Sequence, residues 1–251
     1  QAMLDVLNKA GNRYPPHLDV IRLATINETV NAVNHQRIEL IETDPKIFKA
    51  VYSDGAAKAF GRALPAETEL TLKVGAQVMF IKNDDASNNK TSNGSAIRRW
   101  VNGTIGRVVA LPKSGLVVVD VDGEQLEVGP ATWGKIRYEV EEGFNESTGE
   151  AKETLVPVTL AEFKQIPLRL AWAVTIHKSQ GQTYDEVQID MGRGAFSPGQ
   201  TYVGLSRVRT LGGLYLTRAV LIRDVMVDSD VVRFMSGAQL EATSSEHLPP
   251  F

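Results

Sequence analysis

The sequence contains no cysteine. That absence excludes disulfide staples, a thiol nucleophile and thiolate-held zinc, and it suits a reducing compartment. No apolar run approaches the roughly 20 residues that a membrane-spanning helix requires. The first residues, Gln1 to Gly11, have neither the basic segment nor the apolar stretch of a secretory leader. The expectation is a soluble, intracellular protein. Excess positive charge is also missing: the formal net charge is −3. Any attachment to nucleic acid must then come from local patches or stacking surfaces, since the field of the whole molecule gives no attraction. Finally, no segment matches the phosphate-cradling G-x-x-x-x-G-K-[ST] loop. Either the chain is not a nucleotide enzyme, or it is part of one.

What is present is ordinary globular sequence. With 251 residues, 43% hydrophobic and 23% charged, the chain can bury one large core or two modest ones. Val20 to Ile26 reads as a short buried strand. Asn27 can cap a following helix, Glu28 to Ile41, in which Val30, Val33, Ile38 and Ile41 recur near helical spacing. From Leu70 the texture turns to short β-rich runs, broken by the turn signals Asn102-Gly103 and Asp122-Gly123. Asp84 to Ala96 and Glu141 to Glu153 read as polar loops. Strands are expected again at Glu186 to Asp190 and Gly213 to Thr217, with a helix between them. This order predicts an α/β domain, residues 1–70 and 160–236, interrupted by a small β module over 71–159 and followed by a tail, 237–251.

Two stretches carry polar chemistry. In LAWAVTIHKSQGQT, Leu170 to Thr183, a nearly uncharged run ends in Thr175, His177, Lys178, Ser179, Gln180 and Gly181. Hydroxyls, a lysine and exposed amides are the groups that hold nucleic-acid phosphates without reading sequence. His177 alone serves equally as a structural imidazole tied to a loop carbonyl. No G-x-S-x-G elbow surrounds Ser179, which weighs against a serine hydrolase. The second stretch begins at Ser197-Pro198, a well-formed helix start, and continues GQTYVGLSRVR, with Tyr202, Leu205 and Val208 able to face inward. Arg207 fits two readings, a surface cation near a helix end or a group that stabilises charge on a transferring phosphoryl.

Together, TIHKSQGQT and GQTYVGLSRVR resemble motifs V and VI of the superfamily 1B DNA helicases, the RecD-like and PIF-type group. IRLATINETVNAVNHQRI resembles the motif IV region, and LKVGAQVMFIKND with WVNGTIGRVV resembles the start of an inserted SH3-like module. The resemblance runs from about Val20 to Phe234. It implies an α/β fold: a RecA-like parallel sheet with helices on both faces, forming the second motor domain of a helicase, with an SH3-like β-barrel inserted. The first RecA-like domain, with the P-loop and most of the site for ATP and Mg2+, would lie upstream. By position Arg207 corresponds to the arginine finger, and Gln200 and Tyr202 to the same motif's nucleotide-proximal helix. Thr175, His177, Lys178 and Ser179 correspond to contacts with single-stranded DNA, and Gln180 and Gly181 to the approach to ATP. Thr25 and Asn27 correspond to the motif IV turn, and Asn83 to a polar position near the DNA path. Gln182 stands where many relatives have a glutamate, and Gly204 where alanine is common. The expected whole protein is an ATP-dependent helicase of the bacterial cytoplasm, travelling 5′ to 3′, with this part inactive alone. A nucleic-acid-binding or protein-interaction module that kept the fold and lost the motor is the alternative from another class.

Overall fold

A computed structural model of the chain describes residues 2–15, 17, 19–61, 64–85, 98–144 and 151–236. In order, the elements are α1 (Ala2–Gly11), β1 (Ile21–Ala24), α2 (Asn27–Glu39), β2 (Lys46–Lys49), β3 (Val51–Tyr52), α3 (Ala56–Phe60), β4 (Glu69–Leu72), β5 (Gln77–Phe80) and β6 (Ile105–Ala110). Then come β7 (Val117–Val121), β8 (Glu124–Val128), β9 (Ala131–Phe144), β10 (Ala151–Gln165), β11 (Leu168–Leu170), β12 (Ala173–Thr175), β13 (Val187–Asp190), α4 (Gln200–Leu205) and β14 (Leu214–Leu216). The chain divides into two compact units, Gln1–Arg37 with Trp172–Phe251, and Ile38–Ala171. Among the described residues no helix is long and apolar enough to cross a membrane.

The first unit is built on a four-stranded sheet ordered β12-β1-β13-β14, with every pair parallel. Leu23, Val187, Ile189 and Leu214 are buried in it, as a sheet covered by helices requires. Arg22, alternating with Ile21 and Leu23, donates from Nε to Gln188 Oε1 on the neighbouring strand (2.8 Å). The α2 helix is fixed by a polar clamp instead of by apolar contacts alone. Buried Asn34 donates to the Ala173 carbonyl and accepts from the Ala173 N–H, both at 2.9 Å, and so satisfies two backbone groups of edge strand β12. The helix begins at Asn27 and ends at Glu39, so Ile41 lies outside it.

The second unit carries a five-stranded sheet, β11-β5-β6-β7-β8, a three-stranded sheet, β3-β10-β9, and the pair β2-β4. Its core centres on Phe163, Phe80, Leu70, Leu72 and Ile166. Phe163 stacks on Tyr52 at 5.8 Å. The Asp122-Gly123 signal is the two-residue turn between β7 and β8: Val121 pairs with Glu124, and both turn residues have positive φ (51° and 89°), as a primed hairpin turn demands.

This unit is wider than the 71–159 read from the sequence. The β2 strand pairs with β4, and β3 with β10, which draws residues 38–70 into it. The β11 strand pairs with β5 and draws in 168–170. Of the polar stretch expected as a loop at Glu141 to Glu153, residues 141–144 and 151–153 are strand, because a ladder of backbone bonds needs no apolar side chains, and 145–150 lie outside the described residues. Residues 86–97 of the earlier polar stretch, and 237–251, lie outside the described residues.

Candidate nucleic-acid and phosphate site

Strand β12 runs out of the core into a 3-10 turn, Ile176–Ser179. Ile176 and Ser179 are fully buried and anchor the turn, whereas His177, Lys178 and Gln180 are exposed. Two hydroxyls shape it. Thr175 Oγ accepts from the Lys178 N–H (3.3 Å), and Ser179 Oγ donates to the Ile176 carbonyl (2.7 Å). Ser179 therefore has no hydroxyl facing solvent, and the sequence expectation of a strand-contacting Ser179 is corrected: its side chain builds the turn, as does that of Thr175. This also leaves Ser179 without the geometry of a nucleophile. Gly181 follows with φ +80°, a left-handed conformation that disfavours any side chain, and Gln182 N–H returns to the Ser179 carbonyl (3.0 Å).

The carboxyl ends of adjacent strands β12 and β1 lie side by side, the place where open α/β sheets bind ligands. At the end of β1, Thr25 is buried, 5% exposed, and Asn27 is exposed. The Thr25 carbonyl accepts from Gln200 Nε2 (3.3 Å), and Gln200 Oε1 accepts from the Phe196 N–H (3.1 Å). Gln200 is thus an internal brace, 3% exposed. Phe196 is 59% exposed, its ring 6.2 Å from that of His177. The sequence reading missed this residue, and an aromatic within the glycine-rich MGRGAFSPG offers little signal. Asn83 belongs to the other unit, where its Oδ1 accepts from the Asn102 N–H (2.7 Å).

Helix α4 departs from expectation. Ser197 does not cap it; Gly199, at φ 74°, precedes the first turn with no side-chain cap. Gln200, Thr201 and Gly204 face inward, and a Cβ on Gly204 would stand 3.2 Å from Ile176 Cδ1. Tyr202 does not face inward: it is 76% exposed and lines an apolar groove with Met3, Leu7, Leu205 and Ile222. Gln200 and Tyr202 therefore occupy different faces of one helix.

Arg207 lies beyond the helix end and is half-buried. Nε donates to the Val203 carbonyl (2.9 Å), Nη1 to the Gln182 carbonyl (2.9 Å) and Nη2 to Ser206 Oγ (2.8 Å). Tyr184 binds Arg207's backbone from the other side: its N–H donates to the Arg207 carbonyl (2.8 Å), and its carbonyl accepts from Arg209 N–H (2.9 Å). The Tyr184 hydroxyl is buried with no partner among the described residues. Burial pushes it up to about 12, the nearby Arg207 charge opposing. Arg209 forms an exposed pair with Asp185 (2.8 Å). Among the described residues no group of three or more histidines and carboxylates could hold a metal ion.

No protein-family model matches the chain. It is 32% identical over 203 residues to the ATP-dependent DNA helicase Pif1 of Bdellovibrio bacteriovorus, covering 80% of this chain and 39% of that protein. It is 34% identical over 238 residues to the ATP-dependent DNA helicase PIF1 of Rattus norvegicus, covering 90% of this chain and 32% of that one. The chain's homologues are Pif1 helicases. A solved structure, Pif1 helicase from Bacteroides in complex with ADP-AlF3 and ssDNA, matches with a TM-score of 0.68 at 26% identity, over 96% of this chain and 50% of that one. The fold is accordingly the RecA-like α/β fold of the Pif1 helicases. The chain spans between about a third and two fifths of the length of the two Pif1 relatives, which come from a bacterium and an animal.

Proposed function

We propose that this chain is the second motor domain, with an inserted SH3-like module, from the C-terminal part of an ATP-dependent, superfamily 1B DNA helicase. The observation that carries the proposal is a single backbone connection. The turn that exposes His177 and Lys178 runs through Gly181 to Gln182, whose carbonyl holds the guanidinium of Arg207. A surface suited to nucleic acid and a cation suited to phosphate thus share one short segment.

Single-stranded DNA is the proposed partner at the first surface. Lys178 gives a phosphate contact, and the exposed rings of Phe196 and His177 give faces on which bases can stack. Asn27, at the end of β1, extends the same surface. Arg207 fits a phosphoryl group. Among the described residues three of its five N–H groups are engaged, and one remains on each Nη. Bound Mg2+·ATP would supply the free energy of hydrolysis, and its metal and most of its phosphate contacts would come from an upstream RecA-like domain in the same intracellular protein. Gln180 and Gly181 would border that cleft. Closure of the two motor domains would then shift the turn at 176–182 and its grip on the strand, with 5′-to-3′ travel as the family expectation.

Alone, this chain is expected to show no ATP hydrolysis, while the full-length protein shows turnover stimulated by single-stranded DNA. Robust turnover by the purified chain would overturn the two-domain reading. Lys178→Ala in the full-length protein is expected to weaken single-strand binding and to reduce the slope of log affinity against log salt by about 0.7, one phosphate contact's worth. An unchanged slope in a salt titration would remove Lys178 from the strand surface.

A further inference from the structure

Arg207 rests in a seat of three acceptors: the carbonyls of Val203 and Gln182 and the hydroxyl of Ser206. A long side chain in solvent samples many rotamers, and a group that stabilises developing charge is effective only when it is already oriented. Among the described residues the seat leaves one N–H on each Nη for an oxygen acceptor. Ser206 is the one side chain among the three acceptors. Its hydroxyl hydrogen is directed to the Val203 carbonyl (3.0 Å), so its lone pairs are left for Arg207 Nη2. The hydroxyl is therefore held in the acceptor orientation by the same carbonyl that receives Nε. Beneath it the backbone is braced by the two Tyr184 hydrogen bonds, which together form a parallel bridge from Tyr184 to Val208.

Building on the reading of Arg207 as the charge-stabilising group, we propose that Ser206 is a positioning residue. It fixes the plane of the Arg207 guanidinium before ATP arrives, and it touches neither nucleotide nor DNA itself. The remaining outer acceptor, the Gln182 carbonyl, ties the same plane to the strand-facing turn.

The test uses the full-length protein. Ser206→Ala is expected to lower kcat for DNA-stimulated ATP hydrolysis by about tenfold, the effect of losing one hydrogen bond to a charged group. KM for ATP and the affinity for single-stranded DNA stay within about twofold of the parent. Ser206→Thr keeps the hydroxyl and restores most of the rate. On an Arg207→Ala background, Ser206→Ala causes no further loss, because the group it orients is gone. An unchanged kcat in Ser206→Ala beside a collapsed Arg207→Ala would overturn the seat while leaving the finger in place. An undiminished loss on the Arg207→Ala background would show a structural role and would overturn it too. Near-normal turnover in Arg207→Ala would instead remove the reading on which the seat rests, and the seat with it.

Discussion

Arg207→Ala in the full-length protein is expected to lower ATP turnover by roughly a thousandfold or more, with single-strand affinity retained, as follows for a cation that stabilises charge on a transferring phosphoryl. The size of the effect separates the two readings of this residue. A surface cation near a helix end contributes well under about 1 kcal/mol, and its removal would leave turnover within severalfold of the parent. Arg207→Lys sharpens the contrast: it keeps the charge and loses the planar fork, so most of the activity is lost with it. The carbonyls of Gln182 and Val203 lose a donor in either variant. Both residues are half-buried, however, within reach of water, so the fold should survive, and far-UV circular dichroism with a thermal melt checks that it does. Near-normal steady-state turnover by a folded Arg207→Ala protein would eliminate the finger.

Much of the frame behind that prediction was legible in the sequence, for identifiable reasons. Ile21 to Ala24, Val187 to Asp190 and Leu214 to Leu216 were readable because parallel strands in a covered sheet need short runs rich in branched apolar residues. The Asp122-Gly123 turn was readable because few residue pairs tolerate two positive φ angles. The polar cluster behind the β12 strand was visible as a cluster. The individual roles in it were not, since a hydroxyl that meets a strand and a hydroxyl that turns back to a carbonyl three residues away have the same sequence signature. Ser179 is of the second kind, and Thr175 likewise turns to its own backbone, accepting from the Lys178 N–H.

Long-range polar contacts were equally hidden. Gln200 is buried on a helix face where hydrophobic periodicity places Tyr202, and the reason is the Thr25 carbonyl, 175 positions away in the chain. The same holds for β2 and β3, whose partners lie on β4 and β10. Short strands with few apolar residues acquire their assignment from the strand they join, so the limits of the β unit could not be read locally.

Helix α4, which precedes Arg207, is tied to a buried ion pair, and Asp224→Ala is expected to destabilise the protein by about 3–5 kcal/mol, the usual consequence of removing one partner of such a pair. Asp224 is fully buried and Arg218 is 27% exposed. The carboxylate accepts from Arg218 Nη1 (2.7 Å) and Nη2 (2.9 Å) and from the Leu221 N–H (2.8 Å). Its own backbone carbonyl accepts from Thr201 Oγ on α4. The pair thus fixes the turn at Ile222–Asp224 against the helix that precedes Arg207. The Arg218 hydrogen bonds hold the Asp224 carboxyl below the ordinary carboxylate range, with burial opposing them. A depressed folded-state value means that the unfolded chain binds the extra proton first. The stabilisation is therefore complete above the unfolded value near 3.8 and is lost as pH falls through the lower, folded one. Urea unfolding at neutral pH should show the full deficit in Asp224→Ala, and the gap between variant and parent should narrow in acid below about pH 4. A gap that stays constant down to pH 2 would mean that the pair is not the source of the loss.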